Sequence, residues 1–179
     1  MSVYFIRHGL TSYNEKSIIQ GRIDLDLSPN GVKQIKEIAK NNSIIKNIDI
    51  IFSSPLKRAI ETSNILNKEI KKDIIIDKRI IERNFGLLEG KTWEYKDHLK
   101  KIQKDNFIKK NNIETDIEIK KRVYSFLNFL KEKYYNQNVL IVSHGGLNRT
   151  FHSYFDKNQS IDNFENLSIK NGEIIKYEF

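Results

Sequence analysis

The 179-residue sequence predicts an α/β fold: a three-layer α/β/α sandwich around a mostly parallel central sheet, with a C-terminal β-hairpin at its edge. Three observations predict it. The runs Val3–Ile6, Ile48–Phe52 and Asn138–Val142 are short and apolar and read as strands buried on both faces, the habit of parallel sheets, and Ile74–Ile76 reads as one more. Long helical stretches stand between these runs, so each strand reaches the next by a crossover. Near the end, Asn171-Gly172 separates Leu167–Lys170 from Glu173–Tyr177, the favoured two-residue turn of a hairpin.

Taken in order, the first strand ends abruptly in Arg7-His8-Gly9. Gly9 permits a sharp turn, which leaves an arginine and a histidine at the carboxyl end of a central strand, where ligand crevices form in open α/β sheets. The stretch to Leu27 is a polar loop whose Thr11, Asn14, Gln20 and Gly21 amide can fold over an anion held by Arg7. Ser28 and Pro29 fit the N-cap and first position of a helix with Val32, Ile35, Ile38 and Ala39 on one face, ended by Asn41-Asn42-Ser43.

The second strand closes on Ser53-Ser54-Pro55, expected to cap a helix from Leu56 to about Ile70, with Ala59, Ile60, Ser63 and Leu66 inward. Arg58 falls in that helix's first turn, against the macrodipole, a local cost that hints at an anion site. Beyond Ile74–Ile76 comes Glu82-Arg83-Asn84-Phe85-Gly86, then a polar segment, about 87–112, read as a small cap or lid. Glu114 to Tyr135 is a long helix with Ile117, Val123, Phe126, Leu127 and Leu130 on one face. The fourth strand ends in Ser143-His144-Gly145-Gly146, an echo of the first, and a helix from Leu147 to Phe155 follows. This layout puts His8, His144 and the neighbourhood of Arg58 along one rim of the sheet.

Composition narrows the classes. With no cysteine, disulfides, thiolate metal sites and a cysteine nucleophile are excluded. No apolar run has the length of a membrane span, and the start lacks a signal-peptide pattern, so a cytoplasmic protein without a membrane partner is expected. The net charge of +8 comes from lysines scattered among glutamates, which reads as a solvated basic surface that attracts a small anion rather than a nucleic-acid partner. Without a linker-like tract, residues 1–179 read as one domain.

Arg7-His8-Gly9 with Thr11 and Asn14, Gln20-Gly21, Ser53 through Ala59, Glu82 through Gly86 and Ser143 through Gly146 together resemble the signatures of the histidine phosphatase superfamily, the phosphoglycerate mutase-like fold. Their order and spacing agree from residue 3 to about 155. The chemistry explains the set. A phosphomonoester carries about two negative charges, so paired guanidiniums suit it.

The resemblance implies that Arg7 and Arg58 hold the phosphate. Neutral His8 attacks phosphorus to form a phosphohistidine, with its other ring nitrogen held by a backbone carbonyl. His144, protonated beside the dianion, stabilises charge in the transition state. Glu82 is the proton donor to the leaving group and then the base that activates water, gaining its proton only with substrate bound. Glu89 is the alternative acid.

Asn14, Gln20, Gly21 and Gly145 are implied as phosphate contacts, and Arg83, Trp93 and Tyr95 of the cap as contacts to the organic part. The resemblance implies no metal and no other cofactor. His98 and His152 match no motif and read as ordinary surface or helix histidines. Only 62 positions separate Glu82 from His144, which favours a phosphatase acting on a small phosphorylated metabolite over a phosphoglycerate mutase, whose cap insertion is larger. A non-catalytic phospho-ligand or nucleic-acid binding module is the reading from another class.

Overall fold

The computed structural model describes residues 1–103, 106–156 and 168–179. Five strands form one sheet in the order β3-β2-β4-β1-β5: β1 Ser2–Arg7, β2 Ile50–Ser53, β3 Ile74–Ile76, β4 Val139–Ser143 and β5 Ile174–Glu178. The first four run parallel and β5 lies antiparallel on β1. The helices are α1 Ser12–Glu15, α2 Pro29–Asn41, α3 Lys57–Ile70, α4 Trp93–Gln103, α5 Phe107–Lys110, α6 Asp116–Lys133 and α7 Asn148–Phe155. Among the described residues, no helix is long and apolar enough to cross a membrane.

Alternation along the strands builds two cores. Val3, Phe5, Ile50, Phe52, Val139 and Ile141 face Ile119, Val123, Phe126 and Leu127 of α6 and Phe151 of α7. Tyr4, Ile6, Ile51, Leu140 and Val142 face Ile35 and Ala39 of α2 and Ile65 and Leu66 of α3. Burying each large side chain contributes about 1.5–3 kcal/mol before chain entropy is counted. A smaller cluster of Ile19, Leu88, Phe107 and Ile113 anchors the 87–112 segment to the loop after β1.

Three expectations need correction. The inward face of α6 uses Ile119, not Ile117, which is 81% exposed. Positions 119, 123, 126, 127 and 130 repeat with the helical period, whereas 117 lies about 200° away from 119 at ~100° per residue.

The last strand takes the sheet edge, and a turn forms at Asn171-Gly172, where Glu173 N donates to Lys170 O at 3.1 Å. Its ladder partner, however, is β1, with Val3 opposite Tyr177 and Phe5 opposite Ile175. Ser168–Lys170 is not a strand, and Leu167 lies outside the described residues. Pairing with β5 covers an edge of β1 that would otherwise stay open.

Ser53 and Ser54 do not cap α3. Its N-cap is Leu56, with no side-chain cap bond, and Asp24 Oδ1 accepts the Lys57 amide at 2.7 Å instead. By contrast, Ser28 caps α2 through the Gly31 amide at 3.1 Å with Pro29 at the first position, as expected.

Candidate active site

Sheet register positions the site. Arg7 of β1 pairs with Ser143 of β4, so the next residues, His8 and His144, emerge side by side from the carboxyl end of the sheet. Their ring centroids are 5.1 Å apart. Because β1 connects to β2 on the far side of β4, this rim is also the topological switch point of the sheet, the expected place for a crevice.

His8 is buried and held at both nitrogens. Nδ1 lies 2.7 Å from the Gly9 carbonyl oxygen, which can only accept, so Nδ1 carries the proton. Nε2 then presents its lone pair, and Arg58 Nε donates to it at 3.2 Å. Burial, followed by the charges of Arg58 and Arg7, pushes the His8 pKa well below its ordinary value, against the raising effect of the Gly9 bond. The ring is neutral, with its free electron pair on Nε2.

Arg58 is fully buried on the first turn of α3. Nη1 donates to Ile23 O at 2.8 Å and Nη2 to Gly21 O at 2.7 Å, and each terminal nitrogen keeps a second N–H. Gly21 has φ +52°, and a Cβ there would sit 2.1 Å from Glu89 Oε1, so glycine turns this carbonyl to the guanidinium without strain. No carboxylate lies within ion-pair distance of Arg58 among the described residues. A buried cation balanced only by carbonyl dipoles and distant carboxylates is suited to an arriving anion.

Arg7 adds an unspent donor and His144 an unpartnered ring nitrogen. Arg7 Nη1 donates to Ile169 O at 2.7 Å, while its Nε is buried without a hydrogen-bond partner among the described residues. His144 is fully buried, with Nε2 2.6 Å from Ser54 Oγ and Nδ1 likewise unpartnered. Ser54 thus serves His144 first, and its Oγ also accepts the amide of Leu56, the N-cap residue of α3, at 3.4 Å. Burial first, then Arg58, His8 and Arg7, pushes the His144 pKa well below its ordinary value, so the ligand-free ring is neutral rather than protonated. A bound dianion supplies a field of the opposite sign. Orphaned buried polar atoms are uncommon and cost free energy, so their concentration here marks a binding floor.

Glu82 is buried on the wall of the same cavity, its Oε1 accepting the Arg83 amide at 2.7 Å and its Oε2 the Gly146 amide at 3.3 Å. The two glycines after His144 make room for this arrangement. A Cβ on Gly145 would lie 3.2 Å from the Arg7 guanidinium carbon, and one on Gly146 2.4 Å from Glu82 Oε1. Arg122 holds the approach to Glu82 by donating to Arg79 O at 2.7 Å and Ile81 O at 2.6 Å, and it is ion-paired to Glu114 at 2.7 Å. Glu89 faces elsewhere: its Oε1 accepts the amides of Arg22 at 2.9 Å and Phe85 at 3.0 Å, tying two loops together.

The cavity encloses about 750 Å³ and is lined by Arg7, His8, Asn14, Gln20, Gly21, Arg58, Glu82 and Gly145 of the anticipated set. Thr11 is buried beneath them. It caps α1 with Asn14 and lies 2.9 Å from Gln20 Oε1, so its part is to hold the loop rather than to line the cavity. That single-turn helix was not legible as one, because its capping box is closed by asparagine rather than Glu or Gln.

Arg83 and Trp93 line the mouth, but Tyr95 does not, being two residues further round α4. His98 is exposed, and His152 packs on Tyr177 with centroids 5.1 Å apart. Sequence reasoning missed Lys96, Lys100 and Arg149 on the cavity wall and Asn171 behind His8. The first two sit one turn apart on a polar helix and could have been flagged by that spacing.

Comparison with known proteins shows the family. The profile of the histidine phosphatase superfamily (branch 1) matches residues 3–179. A putative phosphoserine phosphatase 2 from Hydrogenobacter thermophilus is 38% identical over 80% of this chain and 73% of its own. The phosphoglycerate mutase-like protein 4 of Arabidopsis thaliana is 27% identical over 84% of this chain and 69% of its own. A phosphoserine phosphatase mutant from Entamoeba histolytica, solved with phosphoserine, superposes with a TM-score of 0.81 at 29% identity, over 99% of this chain and 90% of that one. The chain belongs to the histidine phosphatase superfamily, branch 1.

Proposed function

We propose that this phosphatase of the superfamily hydrolyses a small phosphomonoester by passing its phosphoryl group to His8 and then to water. The observation that carries the reading is the state of His8: neutral, its proton locked on Nδ1 by the Gly9 carbonyl, its lone pair on Nε2 beside the Arg58 guanidinium. A solvated surface histidine has no such fixed tautomer. A binding module needs an anion pocket but no preset nucleophile.

In the forward step Nε2 attacks phosphorus while the ester P–O bond breaks. Glu82 gives its proton to the departing alkoxide, leaving an alcohol, a phosphohistidine and a carboxylate. A water molecule then gives a proton to Glu82 as its oxygen bonds to phosphorus. The N–P bond breaks, and inorganic phosphate leaves with His8 neutral again.

Arg7 and Arg58 hold the non-bridging oxygens, and His144 takes up a proton with the dianion and donates to it. Asn14, Gln20, Gly21 and Gly145 surround the phosphate. The 87–112 segment acts as the cap, with Arg83 and Trp93 toward the organic part. The relatives named above put phosphoserine, or a similar small ester, first among substrates to try.

The mutase-like relative keeps a second reading open, in which the phosphohistidine returns its group to another hydroxyl. Release of phosphate from p-nitrophenyl phosphate and phosphoserine, by wild type and His8→Ala, with and without 2,3-bisphosphoglycerate, separates them. Release that needs His8 and ignores the bisphosphate is expected. Equal rates in His8→Ala would remove His8 as the nucleophile, and no turnover of either ester would end the hydrolase reading. Bisphosphate-dependent isomerisation of phosphoglycerate would replace it by the mutase.

A further inference from the structure

Glu82 hangs on a segment without regular structure. Residues 81–85 belong to no helix or strand, yet they carry a buried carboxyl on the cavity wall that must reach one particular oxygen. A loop fixes a group this closely only when other side chains hold its backbone.

Three side chains hold it. Glu114 is the hub: its Oε2 accepts the Asn84 amide at 3.1 Å, Arg22 Nη2 at 3.2 Å and Arg122 Nη2 at 3.0 Å, and its Oε1 accepts Arg122 Nε at 2.7 Å. The Glu114 amide donates to Asn84 O at 2.9 Å, and its carbonyl accepts Arg83 Nε at 2.9 Å. Arg22 Nε donates to the backbone oxygen of Glu82 itself at 3.2 Å, and Arg122 Nη1 reaches Ile81 O at 2.6 Å. Each residue from 81 to 84 is thus gripped by a member of this trio.

Arg22 also belongs to the loop that aims the phosphate site. Its neighbours Gly21 and Ile23 supply the two carbonyls that hold the Arg58 guanidinium. Its own amide shares Glu89 Oε1 with the amide of Phe85. One residue therefore ties the loop that orients Arg58 to the segment that orients Glu82. Stability alone does not account for that tie, because the Arg22 side chain is 38% exposed and an ion pair so exposed adds little.

We infer that Arg22, Glu114 and Arg122 are positioning residues that keep the Glu82 carboxyl in register with the bound phosphate. Arg58 places the phosphorus, Glu82 must meet the ester oxygen attached to it, and the trio fixes the span between them. The inference rests on the phosphatase reading with Glu82 as acid and deepens it. A small error in that span costs proton transfer and leaves phosphate binding intact.

The test compares kcat/KM for p-nitrophenyl phosphate and p-nitrobenzyl phosphate. The first releases a phenolate that leaves without a proton, the second an alkoxide that needs one. Both carry the same dianion, so loss of folded enzyme or of positive potential cancels in their ratio. Steps after release of the alcohol do not enter kcat/KM, so the later work of Glu82 on water does not either. Wild type, Arg22→Met, Glu114→Gln, Glu82→Gln and the double variant Arg22→Met with Glu82→Gln are measured.

Arg22→Met and Glu114→Gln are each expected to lower the benzyl-to-phenyl ratio roughly tenfold, part of the ~10²–10⁴ that a positioned acid supplies. Glu82→Gln should lower it at least as far, and adding Arg22→Met to that variant should lower it no further. Glu114→Gln turns an acceptor into a donor facing other donors and costs stability, so Arg22→Met, at an exposed position, carries the decision. A ratio within twofold of wild type in Arg22→Met would overturn the inference. So would a fall that persists in the Glu82→Gln background, an unchanged ratio in Glu82→Gln, or a wild type that releases nitrophenol but no nitrobenzyl alcohol. Failure of the underlying phosphatase reading looks different: wild type then shows no His8-dependent release from p-nitrophenyl phosphate.

Discussion

Asn171 Nδ2 donates to the His8 carbonyl oxygen at 2.9 Å and lies 3.3 Å from the Gly9 oxygen that accepts the His8 Nδ1 proton. The same turn sends the Gly172 amide to Arg7 O at 2.9 Å. A C-terminal turn therefore braces the Arg7-His8-Gly9 corner from behind. Replacing Asn171 by Ala should lower kcat on p-nitrophenyl phosphate about tenfold with little change in KM, and lower Tm by roughly 2–4 °C, the share of one hydrogen bond in a domain of this size. A brace acting only on stability would move Tm and leave the pH profile of kcat/KM in place. Positioning of His8 moves its acidic limb as well.

Gly146 leaves room for Glu82. An added methyl would stand 2.4 Å from Oε1, the free end of a flexible side chain, so the carboxylate can swing aside. Gly146→Ala should keep Tm within a degree or two while kcat drops by about tenfold or more, since a displaced acid loses much of a contribution of roughly 10²–10⁴. Retention of wild-type kcat would remove Glu82 from its role.

The two central histidines set a pH dependence of stability. Both have folded-state pKa values well below the ordinary 6.5, chiefly through burial. Below that value the unfolded chain binds protons that the folded one refuses, so stability falls as pH falls from about 7 toward 5. The slope reaches at most about 1.4 kcal/mol per pH unit for each histidine. Thermal melts of wild type against His8→Gln and His144→Gln check it, and each variant should flatten the acid slope. Parallel slopes would contradict the assignment.

The unpartnered Arg7 Nε and His144 Nδ1 predict strong stabilisation by a tetrahedral anion. Phosphate or orthovanadate at a hundredfold excess over its dissociation constant adds about 2.7 kcal/mol, which for a chain of this length raises Tm by roughly 5–10 °C. Arg7→Met should abolish most of that shift at the same anion concentration. A shift as large as that of wild type would show the anion binding elsewhere.

The legible parts of the fold were those dictated by local pattern. Arg7-His8 and Ser143-His144 each follow an unbroken apolar run, and parallel pairing of two such runs brings their ends together without long-range guesswork. The expectation for β5 failed because an Asn-Gly turn specifies a reversal but not a partner. The strand after the turn pairs with the open edge of β1. Ser54 read as a cap because a serine near a helix start usually is one, and nothing nearby in sequence announces that His144, 90 positions on, takes its hydroxyl. Ile117 fits the apolar face of α6 only by approximate spacing, and the turn geometry of the helix puts it in solvent.

The central claim is that His8 Nε2 bonds covalently to phosphorus during turnover. Rapid acid-free quenching with a phosphate-labelled p-nitrophenyl ester, followed by peptide mapping, tests it most directly. The account predicts one alkali-stable, acid-labile label on the peptide containing His8, at Nε2, absent from His8→Ala. A label on any other residue, or steady hydrolysis by His8→Ala at the wild-type rate, would contradict it.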